Sequence, residues 1–226
     1  MDGQGLGATP CPTVGKDSMP ANNKKNLTTP VFSLIKNTMK FVKLITIATL
    51  LVTPTLLTAE EKLATHVGTL PDGPAITEAD IKAAQKMWGD AVVAIGAAGD
   101  KAHEVAKKAA KAAYSFELGP IQFKPTLAAD QPFRPDLEGT LSYFVAGNPK
   151  YSEDKGFALK PWTKVRFDNH TVKIFGNKAL AMGHYYFTDK ATGKETKVEY
   201  TKGYVKMADG RVLLFLQGSH LPYSKP

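Results

Sequence analysis

Residues 162–220 decide the fold: WTKVRF (162–167), TVKIF (171–175), ALAMGHYYFTD (179–189), TKVEYTKGYVKM (196–207) and RVLLFLQGSH (211–220). Each run is rich in β-branched and aromatic residues. They are separated by Asp168-Asn169, Gly176-Asn177, Ala191-Thr192-Gly193 and Ala208-Asp209-Gly210, short turn-forming groups that predict antiparallel hairpins.

The preceding segment reads as helix. Thr77 and Asp80 form a capping-box signature, after which Ile81, Ala84, Trp88, Ala91, Val92 and Ile95 recur at helical spacing as far as Gly96 and Gly99, predicting a helix over 78–95. Asp100 is placed to cap a second helix, with Ala102, Val105, Ala106, Ala109 and Ala113 on one side and an end near Tyr114. A short strand fits 121–126. Pro135 is placed to open a third helix that buries Leu137, Leu141, Phe144 and Val145 and stops at Gly147-Asn148-Pro149. Helices followed by long antiparallel strands specify an α+β domain, with the helices on one face of a curved sheet that encloses a pocket.

Composition excludes several classes. With 43% apolar and 22% charged residues the chain can bury a core. Its single cysteine, Cys11, lies far upstream of the periodic sequence and rules out a disulfide framework or a cysteine-based metal knuckle. The formal charge of +8 falls to +4 without residues 1–59, which hold six lysines against Asp2 and Asp17. Lys101, Lys107, Lys108 and Lys111 read as the solvated side of a helix, and no nucleic-acid motif accompanies them, so no nucleic-acid partner is expected.

The first 75 residues read as processing and linker sequence. Residues 1–38 are rich in Gly, Pro, Asn, Thr and Ser and are expected to be a disordered extension, or sequence ahead of the true start. From Met39 the order is that of an export signal: Lys40 and Lys43, then the apolar stretch LITIATLLV (44–52), then Leu57-Thr58-Ala59 before Glu60. A signal peptide over 39–59 is expected, then a linker over 60–75 and a folded domain over 76–226. A periplasmic or secreted product without stable membrane insertion follows. The alternative is an uncleaved anchor, since 41–59 is close to the length that spans a bilayer.

No spacing motif identifies an enzyme. Phosphate loops, GxSxG elbows and HExxH are missing, and His66, His103, His170, His184 and His220 are scattered. Tyr143, Tyr185, Tyr186, Tyr200 and Tyr204 offer hydroxyls, although aromatic residues at such spacings ordinarily pack a core. Gln217 and Ser219 end an otherwise apolar strand, and polar groups there need partners or a wet cavity. By strand alternation Gln217 and Ser219 share one face, while Gly218 and His220 take the other.

Five segments together resemble the iota-class carbonic anhydrases: 76–96, 123–149 (FKPTLAADQPFRPDLEGTLSYFVAGNP), 153–169, 179–206 and 210–224 (GRVLLFLQGSHLPYS). The resemblance implies a cone-shaped nuclear-transport-factor-2-like (SnoaL-like) fold, a homodimer, and interconversion of carbon dioxide and bicarbonate. It implies as site residues Thr126 of FKPT, Tyr143 of SYF and Ser219 of the last motif. Some members use zinc or manganese and others no metal; no metal is expected here, with zinc or manganese the alternative. The family's His-His-Ser-Ser run stands here as Gln217-Gly218-Ser219-His220, which removes both histidines and leaves His220 as the expected proton acceptor. Two rival readings are a non-catalytic small-ligand-binding or dimerisation domain, and a SnoaL-like isomerase with Glu199 as its base.

Overall fold

The computed structural model describes residues 65–66 and 68–225. The expected extension over 1–38 and export segment over 39–59 lie outside the described residues, as does the first part of the linker.

Among the described residues, three α-helices pack on a five-stranded sheet of order β1-β5-β4-β3-β2, which is the α+β arrangement expected. Helix α1 (Glu78–Ala97) starts at the capping box: the Asp80 amide donates to Thr77 Oγ1 at 3.2 Å, and the Thr77 amide donates to Asp80 Oδ2 at 2.8 Å. Lys206 Nζ bonds the same carboxylate at 2.8 Å and ties the helix start to the sheet. Ile81, Gln85, Trp88, Val92 and Ile95 form its buried stripe. Helix α2 (Ala102–Ala113) follows a 3-10 turn over Gly99–Lys101, so Asp100 lies inside that turn and does not cap the helix. Its buried face is alanine throughout, Ala102, Ala106, Ala110 and Ala113, which lets α1 and α3 approach closely. Helix α3 (Leu137–Val145) is capped by Asp136, whose Oδ1 accepts from the Gly139 amide at 2.7 Å; Pro135 precedes the cap instead of opening the helix.

Four long strands, β2 (Trp162–Phe175), β3 (Lys178–Asp189), β4 (Glu195–Lys206) and β5 (Val212–His220), pair antiparallel in sequence order. Two expectations are corrected. Asp168-Asn169 does not break the chain into two strands: β2 runs through it, and the irregularity is a bulge that leaves His170 unpaired between the Asn169–Gly183 and Thr171–Met182 positions. Gly183 makes room for that bulge, because a Cβ there would lie 2.2 Å from the Asp168 carbonyl oxygen. Also, β1 (Gln122–Lys124) pairs in parallel with β5, over Gln122–Leu216, Phe123–Gln217 and Lys124–Gly218, so the sheet is mixed.

A second bulge shapes β5. Gly203 pairs with Leu216 and Tyr204 with Leu214, leaving Phe215 unpaired; a Cβ on Gly203 would meet the Phe215 ring at 2.6 Å. The extra residue puts Leu214, Gln217 and Ser219 on one face of the strand, against the helices.

The core lies between the helices and this face. Trp88 is its hub, with ring centroids 5.7 to 6.3 Å from Phe144, Phe167, Tyr185 and Phe187. Burial of a ring of this size stabilises by about 2–3 kcal/mol, and edge-on aromatic pairs add about 1 kcal/mol each. On the far side of the sheet Phe175, Leu180 and Met182 are exposed. No helix among the described residues is long and apolar enough to cross a membrane.

Candidate active site

A cavity of about 500 Å³ opens beside the end of the sheet that carries the carboxyl end of β3 and the start of β4. Phe157, Leu159, Trp162 and Val198 give it an apolar wall, and Thr126 and Tyr143 supply its hydroxyls. Thr126 follows β1 by two residues and Tyr143 sits on the buried side of α3.

Tyr143 lines the cavity and is 5% exposed; its buried hydroxyl lies beside the Leu127 backbone and Thr126, with no partner at ordinary hydrogen-bond geometry among the described residues. Burial pushes its pKa well above the ordinary tyrosine value, while the nearby Leu127 backbone and Thr126 hydroxyl hold back part of the rise. It remains a neutral donor at all physiological pH.

Ser219, 1% exposed, lies deeper than the cavity wall, and its Oγ is 2.5 Å from the Tyr185 hydroxyl. Burial raises Tyr185 to about 12, with Ser219 and Thr126 acting in the opposite direction. Thr126 is therefore a common neighbour of Tyr143 and Tyr185, and Tyr185 joins it to Ser219. The three hydroxyl residues singled out in the sequence converge through a fourth, which had been read as one of several core tyrosines.

His220 does not join them. Adjacent strand residues face opposite sides, and His220 is exposed on the outer face, in a cleft with His170, His184 and Glu199. Asp168, His184, Glu199 and His220 are successive neighbours across β2, β3, β4 and β5. This geometry withdraws His220 as the proton acceptor of the hydroxyl site. It withdraws Glu199 as a pocket base for the same reason. Among the described residues no group of three or more His, Cys, Asp or Glu is placed to hold a metal ion.

A clamp absent from the sequence reading fixes the cavity's floor. Arg134 is fully buried, with Nη2 3.0 Å from Asp154 and 3.2 Å from Glu153 and its guanidinium 4.3 Å from the centre of the Tyr151 ring. Glu153 also accepts from the backbone amides of Ala129, Asp130 and Gln131 at 2.6 to 2.9 Å. Those amide bonds, with Arg134 adding to them, hold its pKa down to about 2. Asp154 accepts from Ser142 Oγ at 2.6 Å, immediately before Tyr143 on α3. The clamp thus holds the loop carrying Thr126 and the helix carrying Tyr143. Because Arg134 and these donors occupy both carboxylates, neither is free to serve as a base.

Gln217, where the resembled family has histidine, is also committed. Trp88 Nε1 donates to Tyr114 Oη and Tyr114 Oη donates to Gln217 Oε1, both at 2.9 Å. A neutral amide acceptor satisfies this chain without a titratable group.

Fold and site together define an α+β pocket protein with a cluster of hydroxyl side chains at its pocket. Residues 79–221 match the family model described as metal-independent carbonic anhydrase, and the chain belongs to that family. It is 42% identical, over 67% of its own length and 76% of the relative's, to a metal-independent carbonic anhydrase from Nostoc sp. (strain PCC 7120). It also resembles the crystal structure of the iota-carbonic anhydrase from a cyanobacterium complexed with bicarbonate, at 41% identity and a TM-score of 0.66, covering 70% of this chain and all of that one. A further match is a nuclear-transport-factor-2-like protein of unknown function from Shewanella oneidensis, 14% identical with a TM-score of 0.38, covering 63% of this chain and 97% of that one.

Proposed function

We propose that the chain interconverts carbon dioxide and bicarbonate with hydroxyl groups in place of a metal-bound hydroxide. The observation that carries this reading is the convergence of Thr126, Tyr143 and the Ser219–Tyr185 pair beside an apolar-walled cavity. Family membership supports it. The apolar wall suits carbon dioxide, which has no net dipole. Water held by the hydroxyls attacks its carbon, a C–O bond forms, one proton leaves to solvent or buffer, and negative charge grows on the former carbon dioxide oxygens. Neutral, fixed donors such as Tyr143 stabilise that charge, and fixing water against carbon dioxide removes much of the entropic cost of their encounter. The enzyme is expected to need no cofactor.

Stopped-flow hydration of carbon dioxide by the purified domain, with and without chelator, tests this reading. Turnover that chelator leaves unchanged is expected; activity that vanishes with chelator and returns with zinc overturns the metal-free part. The committed state of Glu153 and Asp154 favours one other reading, a non-catalytic bicarbonate-binding domain, which bicarbonate binding without turnover would select.

Two further assignments belong to this proposal. The outer face of the sheet, with Phe175, Leu180 and Met182 exposed, pairs with a second copy of the chain. The order of basic, apolar and small residues over 39–59 directs export and is removed before about Glu60.

A further inference from the structure

We infer that Tyr185 is a positioning residue for catalysis: it donates its phenolic hydrogen to Ser219 Oγ and thereby turns the serine's own hydrogen toward the substrate. This inference rests on the hydration reading above.

Among the described residues, Ser219 Oγ has one hydrogen-bond partner, the Tyr185 hydroxyl at 2.5 Å, and geometry alone allows either atom to donate. Acidity decides between them. A phenol titrates near 10 and an aliphatic alcohol is far less acidic, so the tyrosine is the better donor and the serine oxygen the better acceptor. With one lone pair occupied in this way, the Ser219 hydrogen is free to point away from Tyr185. A hydroxyl that accepts a bond also becomes a stronger donor, because hydrogen bonds in series polarise one another.

The ring that holds this hydroxyl cannot easily move. Tyr185 is 2% exposed, stacked on Tyr200 with centroids 5.3 Å apart, and flanked by Phe187 at 4.9 Å, Phe167 at 5.4 Å and Trp88 at 5.7 Å. Its pKa of about 12 keeps it protonated, and therefore a donor, throughout the working range. Ser219 alone would be a free rotor. Tyr185 makes it a directed one.

Tyr185→Phe keeps the ring and its packing and removes only the hydroxyl, so the variant should fold with a thermal midpoint within a few degrees of the parent. We expect kcat for hydration to fall about five- to tenfold, with KM within about twofold. The Tyr185→Phe/Ser219→Ala pair should be no slower than Ser219→Ala alone, because the tyrosine acts through the serine. A parent-like kcat in Tyr185→Phe, or additive losses in the pair, overturns the inference while leaving the hydration reading in place. An inactive parent would overturn that reading instead. The bond is then still tested without turnover, by the 13Cζ resonance of labelled Tyr185, assigned through its loss in Tyr185→Phe. That resonance should move in Ser219→Ala, and an unmoved resonance overturns the inference by itself.

Discussion

Lys202 and Gln217 stand opposite each other on β4 and β5, both buried, yet only the amide has a hydrogen bond. Lys202 Nζ instead lies 4.0 Å from the centre of the Trp88 ring, with Phe167, Tyr185 and Tyr200 between 4.9 and 5.8 Å. Burial holds its pKa well below the ordinary lysine value. The ring faces offset part of the cost of a charge there, but no carboxylate among the described residues neutralises it.

A stability–pH relation follows. In the unfolded chain Lys202 binds a proton below about pH 10.4, whereas in the fold it does so only at much lower pH. The unfolded state therefore carries the extra proton in that window, and folding stability rises as pH increases through neutrality toward about 10. Lys202→Met should raise the unfolding midpoint at pH 7 and flatten this rise between pH 7 and 9 in urea titrations. A variant less stable than the parent at pH 7 would show that the lysine has a partner after all.

Ser219→Ala should lower the hydration rate by at least about tenfold, the loss expected for one positioned transition-state hydrogen bond. Circular dichroism and the thermal midpoint should stay close to those of the parent. An unchanged rate would remove Ser219 from the machinery.

Glu153→Gln addresses the clamp. The Glu153 carboxylate titrates at about 2 in the fold against 4.5 ordinarily, so its contribution is complete above about pH 4.5 and is lost as pH falls toward 2. The variant should flatten the acid side of the stability curve over that interval. At neutral pH it should also slow hydration several-fold, because the loop carrying Thr126 loses its charged acceptor. A parent-like acid limb measured by denaturant titration would refute this assignment.

Met182→Glu tests assembly. Placing a charge in the exposed apolar patch of the outer face should convert a dimeric parent to monomer in light scattering, with the fold intact. A parent that is monomeric at micromolar concentration would end the pairing proposal.

Intact-mass measurement of protein recovered from a cell envelope tests export. A mass beginning near Glu60 is expected, and retention of 39–59 would identify an anchor instead.

Most of the sheet was legible because its strands alternate and its hairpin turns use glycine with small polar residues. Asp168-Asn169 misled because asparagine and aspartate mark bulges as readily as turns, and only the partner strand, with Gly183 opposite, distinguishes them. The three-residue β1 is too short to declare a direction, so its parallel pairing was invisible. Ser219 stood out as a polar residue ending an apolar strand and Tyr143 as one of several hydroxyls, but Thr126 and the roles of all three came from resemblance. The Arg134 clamp escaped notice because its partners lie 19 and 20 residues away in irregular loops, where no period links them. Tyr185 was named with four other tyrosines as a hydroxyl or a core ring; it is both, and a sequence pattern does not tell which of the five reaches the site.

The parallel pairing of β1 with β5 acts as a ruler. Lys124 opposite Gly218 places Thr126 two residues and Ser219 one residue beyond the same end of the ladder, one on each strand, so backbone bonds set the spacing between them. A slip of a single residue would displace one hydroxyl from the other by about 3.3 Å, the full length of a hydrogen bond. Core side chains that lend the site no hydroxyl can therefore be exchanged for others of similar volume without detuning it, while a one-residue insertion or deletion between Phe123 and Thr126 would leave every hydroxyl present and the site out of measure.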